Sequence, residues 1–158
     1  MKSKAVLTGL LLLLVFTSFS FKCDSGGPPP DTSRFRPAAK AAGDIAESIK
    51  AMIIIKRALA KNGTLKPAEE RPIQTALEKL TAADKAFLKE VNAVKNATDA
   101  STSQSKVCLA FAALRTALSQ VDSSVGTVGD GDAKSKLATA LTVISNSIPA
   151  IAGVLPCS

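Results

Sequence analysis

From residue 38 onward the apolar positions of this chain recur every three or four residues, the spacing of one face of an α-helix. A first segment, 38–62, carries the seam Ala42, Ile45, Ile49, Met52 and Leu59. Gly63 follows it, the residue type that most easily takes the left-handed conformation ending a helix. A second segment, 67–98, opens on Pro67 with Glu69 and Glu70 in its first turn, where a fixed φ and negative charge both suit a helix start. Ile73, Leu80, Phe87 and Val94 then return every seven residues, with Ala76, Leu77, Ala83 and Val91 between them. Thr81-Ala82-Ala83-Asp84 imitates a helix start, but the repeat runs unbroken across it, so one long helix is predicted, with Pro72 placed to kink its first turns.

The third segment, 104–125, has the seam Val107, Phe111, Leu114, Leu118, Val121 and Val125; the fourth, 132–155, has Leu137, Leu141, Ile144, Ile148, Ile151 and Leu155. Asp122 to Asp132, between them, is rich in the Ser, Gly and Asp that end one helix and cap the next. Four such stripes predict an all-α fold, an antiparallel up-down four-helix bundle over 38–158, roughly 30 to 40 Å long.

The pattern before residue 38 is different. Met1-Lys2-Ser3-Lys4, the apolar run Ala5 to Phe16 and then Thr17-Ser18-Phe19-Ser20 match the basic, apolar and small-residue regions of a secretory signal peptide, assigned to 1–22. The other reading is an uncleaved anchor, since Ala5 to Phe21 is uncharged and at the lower limit for spanning a bilayer of about 30 Å. Cys23 directly after this apolar signal, ahead of Asp24-Ser25-Gly26-Gly27-Pro28-Pro29-Pro30, resembles the start of a bacterial lipoprotein, which implies lipidation of Cys23. Lys22 and Ser20 depart from that pattern, which favours a small residue and an aliphatic one at these positions. Residues 23–37, rich in Pro and Gly with little to bury, read as a flexible linker. The expected destination is therefore outside the cytoplasm: periplasmic, membrane-anchored or extracellular.

Composition narrows the chemistry. The chain of 158 residues has no His, Trp or Tyr. Without an imidazole there is no Ser-His-Asp or Cys-His nucleophile system and no His-ligated zinc or haem. Setting aside Lys2, Lys4 and Lys22 takes the formal charge from +7 to about +4, a solubility statement. Nucleic-acid binding asks for a concentrated basic face with stacking aromatics, whereas here Lys is spread over every segment and the aromatics are Phe alone, so no nucleic-acid partner is expected.

The three cysteines can be set against the bundle. In a hairpin turning near residue 127, Cys108 lies level with about residue 147, so Cys157 overshoots it by about 15 Å of helix. Pro149 and Pro156 interrupt a continuing helix, and a tail folding back after Pro149 brings Cys157 to Cys108. A disulfide between Cys108 and Cys157 is expected, with Cys23 the odd one; the bland alternative is Cys108 as a small apolar core residue.

Other motifs weaken on inspection. Asp130-Gly131-Asp132 lacks the further oxygen ligands and closing Glu of a calcium loop, and helix capping is the expected use of these aspartates. Gly126, Gly129 and Gly131 follow no strand and precede no Gly-Lys-Ser/Thr, so they form no phosphate cradle. Glu69 and Glu70 are adjacent and diverge around a helix instead of converging as an acid/base pair. Asn62 and Asn96 head glycosylation sequons, a pattern that chance readily supplies in a chain this rich in Ser and Thr. No catalytic residue, metal or cofactor is expected.

The run Met52, Ile53, Ile54 and Ile55 is wider than one helical stripe, so its second face needs cover from another bundle helix or from a partner. The expected function is an exported, non-enzymatic binding module that recognises a protein or a surface. Contact with a membrane is expected only through a lipid anchor or an uncleaved signal. The alternative is a carrier of a small apolar ligand in the bundle core. The small seam residues Ala42, Ala76, Ala83 and Ala138 argue for close helix approach and against a roomy interior.

Overall fold

The computed structural model describes residues 33, 35–95, 100–155 and 157. They form α1 (Phe35–Lys61), α2 (Pro67–Lys95), α3 (Ala100–Gly126) and α4 (Gly131–Ala152), with no strand among the described residues. The predicted signal at 1–22, Cys23 and nearly all of the predicted linker lie outside the described residues.

Each helix end follows from its sequence. α1 starts at Phe35, three residues before the predicted start, because Phe35 has core to occupy: it is buried beside Ala38 and Ala42. Pro37 is tolerated there since the first-turn amides have no helical partner to lose. At the other end, Gly63 takes φ 74°, and the amides of Thr64 and Leu65 both reach back to the carbonyl of Leu59, with buried Leu65 sealing the turn. α2 then begins with Lys66 as its cap: Glu69 Oε2 accepts from the Lys66 amide at 3.0 Å, one arm of a capping box. Asp130 caps α4, its Oδ1 accepting from the Ala133 amide at 2.8 Å, the role expected of this aspartate.

Both internal prolines leave their helices continuous. Pro72 lies within α2 and Pro149 within α4, each exposed. The carbonyls they orphan belong to Ala68 and Ser145, which are exposed too, so water replaces the missing donors. The expected reversal after Pro149 therefore falls later. The helix continues to Ala152, and the amides of Val154 and Leu155 return to the carbonyl of Ile151.

α1 packs against α2 and α4, and α3 packs against the same two helices; the backbones of the diagonal pairs stay apart. The result is a four-cornered up-down-up-down bundle, most extensive along α2–α3 and slimmest along α3–α4. One contiguous core runs its length, from Phe35 and Ala38 through Ile45, Leu80, Leu114 and Ile144 to Leu59, Ile73 and Val125 near the loops. Phe87 and Phe111 meet at a ring separation of 5.7 Å and fix the register of α2 on α3. Of the small residues assigned to seams, Ala42 and Ala76 are buried and Ala83 is partly buried, whereas Ala138 faces solvent. Its place is taken by Ala133, which is in phase with Leu137, Leu141 and Ile144.

Candidate functional site

Among the described residues, two charged side chains occupy the bundle interior. Lys56 and Asp84 are each 3 % exposed. Both fall on the three-four rhythm of their helix: Lys56 between Met52 and Leu59 on α1, Asp84 between Leu80 and Phe87 on α2. Lys56 Nζ donates to Glu70 Oε1 at 2.6 Å and to Gln74 Oε1 at 2.8 Å, so its charge is met across the α1–α2 seam. Gln74 in turn donates to Glu78 Oε1. Glu70 keeps about a third of its side chain in water, which eases the desolvation that a sealed ion pair would suffer.

Asp84 has no such partner. Its Oδ1 is shut off from solvent and accepts no hydrogen bond. The registers fixed by Lys56 with Glu70 and by Phe87 with Phe111 set Asp84 level with Ile45 of α1 and Leu114 of α3, both buried. The charged groups nearest that level on α1, Asp44 and Glu47, point outward and pair with Lys40 and Lys50; Arg115 on α3 and Lys85 on α2 are exposed. Burial alone therefore drives the Asp84 carboxyl up from an ordinary 3.8 to about 6.

Glu69 does different work at the loop end. One oxygen accepts from the Lys66 amide and the other from the Gly129 amide at 2.8 Å, tying the α1–α2 loop to the α3–α4 loop. These two amides hold its carboxyl below the usual 4.5, that of Gly129 contributing most. A Cβ at position 129 would stand 3.3 Å from Glu69 Oε1, so the close approach of the Gly129 backbone depends on the missing side chain. Glu69 and Glu70 thus point to separate partners, as their adjacency implies.

Cys108 and Cys157 are bonded, Sγ to Sγ at 2.06 Å with Cα atoms 5.4 Å apart. The bond pins the chain end to α3 and holds buried Leu155 against the core. Of the run 52–55, Met52 is buried, Ile53 and Ile55 are half-buried against the core, and Ile54 is 65 % exposed. Asn62 is exposed in the α1–α2 turn, while Asn96 lies outside the described residues. Among the described residues no cluster of His, Cys, Asp or Glu is arranged to hold a metal ion, and no helix is long and apolar enough to cross a membrane.

Two shallow grooves open on the surface. One, of about 470 Å³, lies between α2 and α3 and is lined by Arg71, Thr75, Lys79, Gln120 and Ser123 above Pro72 and Ala76. The other, of about 410 Å³, lies between α3 and α4, with Leu118, Ile148 and Pro149 as its floor and Arg115 and Asp122 at its rim.

An apolar seam does not reveal Lys56 and Asp84, because neither side chain is apolar. The seven-residue rhythm itself marks both positions as inward. The class these features define is a disulfide-closed four-helix bundle. No family model matches the chain, and no curated protein or solved structure shows significant similarity to it.

Proposed function

We propose that this protein is an exported, non-enzymatic helical-bundle module of the cell envelope or secreted fraction that binds another protein or a surface. The observation that carries the reading is the Cys108–Cys157 disulfide, because such bonds persist in oxidising compartments and are rare where thiols are kept reduced. It joins the export-type N-terminus on a second, independent line of argument.

The closed interior supports a recognition body over a carrier. Apolar side chains from all four helices fill one core, and the grooves at hand are surface features open to water. Position supports it as well. The chain enters α1 at the end of the bundle that holds the disulfide, so a leash preceding Phe35 leaves the loops at 62–66 and 127–130 outermost.

Two measurements test the reading. Intact mass of the protein from its own host should show loss of the first 20 residues, or a start at Cys23 with added acyl chains; a full-length cytosolic product contradicts export. Crosslinking in the native envelope or secreted fraction should then trap a specific protein or surface component, and recovery of the bundle free of any adduct at saturating crosslinker contradicts the binding role.

A further inference from the structure

The α2–α3 groove gathers cations and hydroxyls with no carboxylate in its lining. Outside it, Lys40, Lys50, Lys56 and Lys136 are engaged by carboxylates, whereas Arg57 and Lys61 are exposed with none and Lys134 donates to the Gly126 carbonyl. Exposed hydroxyls such as Thr116, Thr139 and Thr142 bond back to their own helix. In the groove, Arg71, Thr75 and Lys79 form one stripe of α2, and Gln120 with Ser123 and Ser124 forms the facing stripe of α3. Ser124 alone of these six makes an intramolecular side-chain hydrogen bond, to the carbonyl of Gln120. No acidic residue lines the groove. Its floor is low because Pro72 and Ala76 are small.

We propose that this groove binds an extended acidic segment of a partner protein, a deepening that rests on the binding role inferred above. Arg71 and Lys79 are eight residues apart on one helix, about 12 Å along its axis. An extended peptide advances about 3.3 Å per residue and places every second side chain on one face, so acidic residues at i and i+4 stand about 13 Å apart and meet both cations. The hydroxyls of Thr75 and Ser123 and the carboxamide of Gln120 lie between, where they serve the backbone of such a strand. The groove has no aromatic side chain, which disfavours stacked bases. It also sits in the half of the bundle near the 62–66 and 127–130 loops, away from the end where the chain enters.

The test is fluorescence anisotropy with a labelled peptide of alternating Glu and Ala, its Gln counterpart as control, at low and physiological salt. The Glu peptide should bind, the Gln peptide should not, and binding should weaken as salt rises. The double variant R71E/K79E should weaken binding at least tenfold. K85E/K89E makes the same change in net charge on exposed lysines of α2 outside the groove, and it should cost less than twofold. Equal loss in both variants, or none in either, overturns the proposal, as does binding of a sulfated polysaccharide through Arg71 and Lys79 with no binding of the peptide. Should R71E/K79E be crosslinked to the native partner as efficiently as the unaltered protein, the groove assignment falls while the binding role stands; absence of any partner for either removes the role itself.

Discussion

At the loop end of the bundle a buried ammonium, Lys56, is held by two oxygens from α2. Three helical turns further along α2, the equally buried Asp84 has a carboxylate oxygen that is shut off from solvent and has no donor. The two positions are alike in helix phase and in exposure. The difference lies in what the neighbouring helix presents. Glu70 and Gln74 are polar and reach across the seam, whereas the residues level with Asp84 on α1 and α3, Ile45 and Leu114, are apolar and buried. A charge in such a core either finds partners or shifts its protonation. This bundle contains one example of each.

Breaking the satisfied side should have the largest effect. Replacing Glu70 and Gln74 together with Ala strands the Lys56 ammonium in the seam and should lower stability by about 3–4 kcal/mol, read as a fall in the urea midpoint. Cys157→Ser touches neither charge. It should cost about 2–3 kcal/mol under oxidising conditions and nothing under reducing ones, leaving the pH dependence of stability unchanged. Asp84→Asn removes the ionisable group while keeping its shape, and at pH 8 it should raise stability by about 2 kcal/mol, a gain that shrinks as pH falls below about 6 and vanishes only below about 3.8. The smallest effect concerns Glu69: with Glu69→Ala, the amides of Gly129 and Lys66 should exchange with solvent measurably faster while the core amides stay protected.

The sequence carried most of this architecture and little of this contrast. Periodicity located four helices to within a few residues, since each apolar stripe must be covered by another. It also brought Cys108 and Cys157 together through the overshoot of the last helix, although the fold-back expected after Pro149 comes only after Ala152. The boundaries at Phe35 and Ala152 depended on particulars: a Phe that is buried in the core, and a proline on the exposed face of its helix, where losing one hydrogen bond leaves the helix continuous. Asp84 was masked by its neighbours, because Thr81-Ala82-Ala83-Asp84 reads as a cap and an aspartate at a seam position is the exception to polar-outside patterning. The groove depended on knowing which residues of α2 and α3 face each other, a long-range register that spacing along one helix does not encode.

Asp84 is unusually easy to isolate by titration, since the chain has no histidine and no imidazole titrates between pH 5 and 8. The folded protein binds the Asp84 proton more tightly than the unfolded chain does, so the stability that protonation confers is full below about 3.8 and lost as pH rises through about 6. Glu69 acts in the opposite sense and lower: its clamp contributes above 4.5 and is lost as pH falls beneath that value. The decisive measurement is the thermal midpoint of the unaltered protein and of Asp84→Asn from pH 8 to pH 5 at constant ionic strength. The midpoint of the unaltered protein should climb by roughly 5 °C over that interval, the rise setting in below about pH 6, while that of the variant stays nearly level. A flat profile for the unaltered protein, or the same slope in Asp84→Asn, would contradict the claim that an unpaired carboxyl sits in the core.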